Sequence, residues 1–493
     1  MRTEKHVVTN LFIGGKWTPA LGESRYDICN PARPDELVGC AAMGMREDVD
    51  RACRAAHQAF PRWSSLSYTE RARYLTKIAD ALVADPDELA ARIRLFTREH
   101  GKILKECEIE MSRLSDRFRL VASYADRLAK DDTLPGPPFD TVISRQARGV
   151  AALIVPWNWP LSILGAKLPQ ALLTGNTAVI KLSPYAPLAP ALTIGRMAEI
   201  VPPGVINLLT GTTIDAGDAL LTHPLVRKIN FTGSIEVGKH VMAMAARNLA
   251  HVTLELGGND AGIVLQDAEV DAAAIQRMVT ATFMSAGQIC MALKRLYVHE
   301  SRYEELATAF TTAAARYVIG DGLDPGVTMG PLNNQRRQES VRELVAEARA
   351  RGAEVREVGT VPDEGTFARG YFHRPTIVLT ADQGLRVVRE EQFGPVLPII
   401  PFRNESEAVR LANDSEFGLC SSVWSRDRIR ALRVARQLEA GYTYLNSHGA
   451  LAQDFRAPFG GFKSSGIGRN LGYEGVLEFQ EYHSISAPAG WLL

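Results

Sequence analysis

The sequence predicts an α/β protein: a doubly wound parallel sheet, a second α/β unit, and a small β extension. Three observations carry this. From residue 149 onward, short apolar runs alternate with segments of helical period, and strands separated by crossover helices form parallel sheets. The 493 residues exceed the size at which one hydrophobic core keeps growing, so more than one unit is required. Finally, "KDDTLPGPPFDTVISRQARG" interrupts the first unit without helical periodicity and reads as an extended excursion.

In chain order, residues 46–130 read mainly as helix. "EDVDRACRAAHQAFPRW", "TERARYLTKIADALVAD" and "EIEMSRLSDRFRLVASYADRLAK" repeat apolar residues every three or four positions. "GVAALIVPW" suits a buried strand, and "PLSILGAKLPQALLTG" a helix closing in Gly175. "TAVIKLS", "GVINLLTG" and "VRKINFTGS" are further strands. The helices "PLAPALTIGRMAEIV", "DAGDALLTH" and "EVGKHVMAMAARN" intervene or follow. After "HVTLELGG" and "AGIVLQ" a second unit begins, with helices near 268–285, 301–317 and 335–352, and it ends in the Gly-rich "PFGGFKSSGIGR". The excursion and the C-terminal "EYHSISAPAGWLL" are candidate edge strands for pairing with another subunit.

Bulk composition narrows the function class. Fifty-six basic and fifty-six acidic residues leave no net charge to attract nucleic acid or an anionic membrane. The N-terminal "MRTEKHVVTN" has no signal-like apolar run, and no apolar run approaches the ~20 residues that span a bilayer. A cytoplasmic enzyme is expected. Cysteines at 29, 40, 53, 107, 290 and 420 form no CxxC pair and have no histidines at zinc-finger spacing, so no metal site is expected. Nor do so few scattered thiols make a disulfide scaffold. For Cys290, in "SAGQICMAL", a buried spacer and a nucleophile both stand.

Ligands of doubly wound sheets bind beyond the carboxyl ends of the strands. There the loops are "PWNWP", "KLSP", "TGTT", "TGSIEVG" and "ELGG", rich in small and polar residues that suit a polar cofactor. "GSIEVGKH" is most of a phosphate-binding P-loop from Gly233 to Lys239, but His240 replaces the magnesium-binding Ser or Thr. Ser234 is equally a helix N-cap. Glu255 ends an apolar strand, where a carboxylate either faces solvent or works in a cavity. Asn158 is an ordinary turn residue or an oxyanion donor.

"PWNWP", "FTGSIEVG", "LELGG", "GQIC", "EEQFGPVLP" and "PFGGFKSSGIGR" occur in the order and spacing of the aldehyde dehydrogenase superfamily, which the chain resembles from about residue 11 to its last strand. The resemblance implies that Cys290 attacks an aldehyde carbon, with the Asn158 amide and the Cys290 backbone N–H holding the oxyanion. Glu255 resembles the base that activates water to hydrolyse the resulting thioester. It implies a discontinuous dinucleotide-binding domain (1–125 and 147–256), a catalytic domain (257–465), and oligomerisation strands (126–146 and 476–493) of a homodimer or homotetramer.

By the same resemblance, Lys181 reaches the adenosine ribose, with Ser183 beside it. Ser234 meets the pyrophosphate at the Gly233 turn, and Glu391 holds the nicotinamide ribose next to Phe393. Pro156, Trp157, Phe231, Gly238 and Leu256 complete the cofactor contacts. NAD is expected. NADP is admitted because Pro184 stands where NAD-preferring members commonly carry a ribose-binding Glu. Asn259 replaces a Lys common in relatives. The acyl pocket is expected to include Trp159, Ala166, Met284, Ile289, Met291 and Phe459, an apolar lining that favours medium-chain aliphatic or aromatic aldehydes over charged semialdehydes. Two alternatives remain: acyl transfer to coenzyme A, which retention of Glu255 disfavours, and nucleotide binding by a P-loop at Gly233–Lys239.

Overall fold

A computed structural model of the chain describes residues 6–492. Its first large sheet has eight strands, and its parallel centre runs in the order His251–Glu255, Val226–Thr232, Val150–Ile154, Thr177–Lys181, Ile206–Leu209. The earliest of these strands lies in the middle, so successive connections leave it in opposite directions. The crevice opens where they part, beyond Ile154 and Thr232. The strands Leu11–Ile13 and Lys16–Thr18 extend one edge, and Gly466–Ile467 pairs antiparallel with residues 254–255 on the other. The central strands are buried almost throughout, as their unbroken apolar runs require.

The second large sheet has seven strands, in the order Glu354–Glu357, Thr376–Leu379, Val396–Phe402, Leu293–His299, Asp260–Val264, Cys420–Trp424, Tyr442–Leu445. Only the first pair is antiparallel. Four residues, 256–259, connect the two sheets. The register Asp260↔Leu293 then sets the turn that ends at Cys290 beside the end of the Glu255 strand.

The segment 160–175 departs from the single helix its periodicity predicts. It forms Pro160–Gly165 and Leu168–Leu173, broken at Ala166 and Lys167. Pro169 has no N–H to continue the ladder, and its ring restricts Leu168. The break turns Lys167 inward, where it is fully buried. Gly175 closes the segment at φ +90°, a conformation costly for any other residue.

The excursion and the C-terminus pair with each other within the chain. Phe139–Ala147 and Gln480–Pro488 form a nine-residue antiparallel ladder, with Asp132–Leu134 alongside. No helix among the described residues is long and apolar enough to cross a membrane.

Candidate active site

Two spaces meet at Cys290. One is an apolar cavity of about 790 Å³, open mouth included, lined by Asn158, Glu255 and Cys290 and by every residue expected in the acyl pocket: Trp159, Ala166, Met284, Ile289, Met291 and Phe459. The other is a groove of about 1220 Å³ beyond the strand ends, which also reaches Asn158 and Cys290. Cys290 therefore stands on the shared wall. Burial pushes its pKa up to about 12; Lys294 opposes that shift, and Glu391 and Asp260 add to it.

The turn before Cys290 runs left-handed through Ser285, Ala286 and Gly287, at φ 56°, 53° and 71°. Gly287 is required twice over, because a Cβ there would lie 2.2 Å from the Gly394 carbonyl oxygen. Glu106 fixes the turn by accepting the Ser285 N–H at 2.6 Å. The Asn158 amide donates one N–H to the Gln288 carbonyl at 3.0 Å. Lys102 donates to the Asn158 carbonyl at 2.9 Å and pairs with Glu110, which accepts the N–H groups of Leu161 and Ser162. These buried charges hold the "PWNWP" loop against the nucleophile turn.

Glu255 is 5% exposed, and neither carboxylate oxygen has a hydrogen-bond partner among the described residues. Burial raises its pKa to about 8, against the pull of Lys167 and Arg469. Lys167, donating to Asn230, is itself pushed down to about 7 by burial. An unpartnered carboxyl facing a cavity, with a pKa near neutrality, suits proton transfer.

The two glycines after Glu255 have separate reasons. A Cβ on Gly257 would lie 2.5 Å from Glu391 Oε2, and one on Gly258 would lie 2.7 Å from the Cys290 carbonyl oxygen. Lys294 ties these parts together. It pairs with Glu391 at 2.8 Å, donates to the Gly258 carbonyl at 2.7 Å and donates to the Cys290 carbonyl. Asn259 is buried and donates to the Val388 carbonyl at 2.9 Å, fastening the segment that leads to Glu391.

The groove is lined by Pro156, Trp157, Lys181, Ser183, Pro184, Phe231, Gly233, Ser234, Leu256, Glu391 and Phe393. Ser234 caps the helix Ile235–Ala245, accepting the Val237 N–H. Lys181 donates to the carbonyls of Leu182 and Gly211, and burial lowers its pKa to about 8. Gly238 does not line the groove. It packs one turn into the helix against Leu256, where a Cβ would lie 2.6 Å from that side chain. Lys239 is exposed and outside the groove, and His240 is held by Asp218 at 2.6 Å.

The comparisons with known proteins agree with this architecture. The sequence matches the aldehyde dehydrogenase family over residues 17–485. The chain belongs to the aldehyde dehydrogenase family. Succinate-semialdehyde dehydrogenase [NADP(+)] of Escherichia coli is 37% identical over 96% of this chain and 97% of that protein. Betaine aldehyde dehydrogenase of Bacillus subtilis is 37% identical over 96% of each. The solved structure of Staphylococcus aureus betaine aldehyde dehydrogenase in complex with NAD+ superposes with a TM-score of 0.91 at 33% identity, covering 98% of this chain and 95% of that one. As a member of this family the protein is an NAD(P)-dependent oxidoreductase, and the P-loop reading is set aside.

For this aldehyde dehydrogenase, sequence reasoning missed several site residues. Arg337 lies in the groove with its guanidinium 5.3 Å from the Phe393 ring centre. Lys102, Glu106, Glu110, Lys167 and Lys294 support the site from within the core. Arg113, Arg117 and Gln453 add to the polar part of the cavity lining. The one available signal was the helical spacing of Ile109, Arg113 and Arg117, four residues apart.

Proposed function

We propose that the protein oxidises an aldehyde to the free carboxylic acid through a thioester on Cys290, hydrolysed with Glu255 as base. The observation that carries this is the position of Cys290 on the wall between cavity and groove, with Asn158 and Glu255 opening on the same cavity. The Cys290 sulfur bonds to the aldehyde carbon as its proton passes to the Glu255 carboxylate, which returns it to solvent before hydrolysis. The oxyanion is received by the Cys290 N–H and the Asn158 amide. A nicotinamide, when bound, supplies the acceptor for the aldehydic hydride. Glu255 then takes a proton from water as its oxygen attacks the thioester, releasing the acid and restoring the thiol.

The groove fits such a cofactor. A helix N-terminus follows Gly233 at the crevice, and the Gly257 cradle leaves room for Glu391 at the end nearest Cys290. Lys181 and Ser183 would hold the adenosine ribose, Ser234 the pyrophosphate, and Glu391 the nicotinamide ribose. The Pro184 side chain can neither accept bonds from ribose hydroxyls nor repel a 2′-phosphate. NAD is therefore proposed first, with NADP tolerated. All six cysteines are unpaired, which suits a reducing cytoplasm. A second copy of the chain is assigned to the antiparallel sheet of residues 132–147 and 480–488, where Phe139, Tyr482 and Ile485 are exposed, giving a homodimer or homotetramer. The test is a panel of aldehydes with NAD or NADP and no coenzyme A. Reduced nicotinamide and free acid are expected, and turnover only with added coenzyme A would overturn the hydrolytic step.

A further inference from the structure

The helix Leu104–Ala122 presents Ile109, Arg113 and Arg117 to the cavity, one turn apart on one face. Arg117 is 8% exposed. Its Nη1 donates to the Ser162 carbonyl, and its guanidinium carbon stands 4.1 Å from the centre of the Phe455 ring. Its Nε has no partner among the described residues. Room is made for its stem by Gly165, where a Cβ would lie 2.7 Å from Arg117 Cδ. Arg113 is half-buried and makes no hydrogen bond or ion pair among the described residues. The acid that acts on Arg117, Glu110, is committed to Lys102 and to two backbone N–H groups.

Among the cavity's lining residues the only acid is Glu255. Arg113 and Arg117 come from the helix Leu104–Ala122, whereas Glu255 ends a strand of the first sheet. Two cations with unused donors in an apolar cavity are a costly arrangement unless an anion completes it. Guanidinium groups match planar oxyanions through paired N–H donors.

We propose that Arg113 and Arg117 make this cavity select aldehydes that carry a carboxylate at the end remote from the carbonyl. This rests on Cys290-dependent aldehyde oxidation and names its substrate class. A sulfonate offers the same kind of oxygens, whereas a quaternary ammonium aldehyde meets like charge. The apolar walls take the intervening carbons.

The test compares kcat/KM for an ω-carboxy aldehyde, its sulfonate counterpart, a neutral alkanal of equal length and a trimethylammonio aldehyde. Wild type, Arg113→Met and Arg113→Lys are each assayed. Charge-assisted hydrogen bonds predict about a 10- to 100-fold preference for the carboxylate over the neutral aldehyde in wild type. That ratio should collapse at least tenfold in Arg113→Met and recover partly in Arg113→Lys. Equal kcat/KM for the carboxylate and neutral aldehydes, or an unchanged ratio in Arg113→Met, would overturn the proposal. So would a sulfonate favoured over the carboxylate. Binding of a saturated dicarboxylate to Cys290→Ala, followed by calorimetry, separates the two claims. Absent turnover with intact Arg113-dependent binding would remove only the oxidation chemistry, and absent binding would remove the anion site.

Discussion

Replacing Glu255 by Gln isolates the base from the nucleophile. The carboxyl is raised to about 8 because its charge is buried without a hydrogen-bond partner. The carboxylate, which is the active form, appears only as pH rises through that value. About a tenth is ionised at pH 7 and about nine-tenths at pH 9, so thioester hydrolysis should accelerate about tenfold across that interval. In Glu255→Gln the dependence should vanish and hydrolysis should slow by about 10²–10⁴-fold. The assay is a single turnover with aldehyde and NAD, with decay of the acyl-enzyme followed by intact mass at each pH. The same pH dependence surviving in Glu255→Gln would refute the assignment of Glu255 as base.

Three further outcomes follow from the geometry. Gly257→Ala would place a Cβ against Glu391, and overpacking of about 1–3 kcal/mol should raise the cofactor KM by about tenfold or more while the Cys290 thiol still alkylates; an unchanged KM would count against Glu391 as a cofactor ligand. Lys102→Met strands Glu110 as an unpaired buried charge, which should destabilise the fold by about 3–5 kcal/mol in denaturant titrations and lower activity by loosening the Asn158 loop. Tyr482→Glu with Ile485→Glu should shift the sedimentation coefficient toward the monomer, and an unaltered oligomer would move the interface elsewhere.

How much of this was legible in the sequence depends on the range of the signal. The strands ending at Ile154, Lys181 and Thr232 are short buried runs, and each was readable from its own residues. The loops after them, and so the groove, followed from topology alone. The break at Lys167 was marked by Pro169 but masked by the apolar pattern, because Leu164, Leu168 and Leu172 keep helical spacing across it. Local pattern could not join Glu255 to Cys290. What joins them is the Asp260↔Leu293 register, and only the family resemblance anticipated it. Arg113 and Arg117 look like the solvated face of an amphipathic helix until residues 450–455 and the broken helix fold over them. Lys102 and Glu110, eight residues apart, meet because a turn intervenes before the helix that carries Glu110.

The measurement that bears most directly on the whole account is the site of acylation. The enzyme is quenched during turnover with aldehyde and NAD, digested and mapped by mass spectrometry. The acyl group should appear on Cys290 alone of the six cysteines, should accumulate in Glu255→Gln, and should be absent from an inactive Cys290→Ala. Acylation at another residue, or full turnover by Cys290→Ala, would contradict the account.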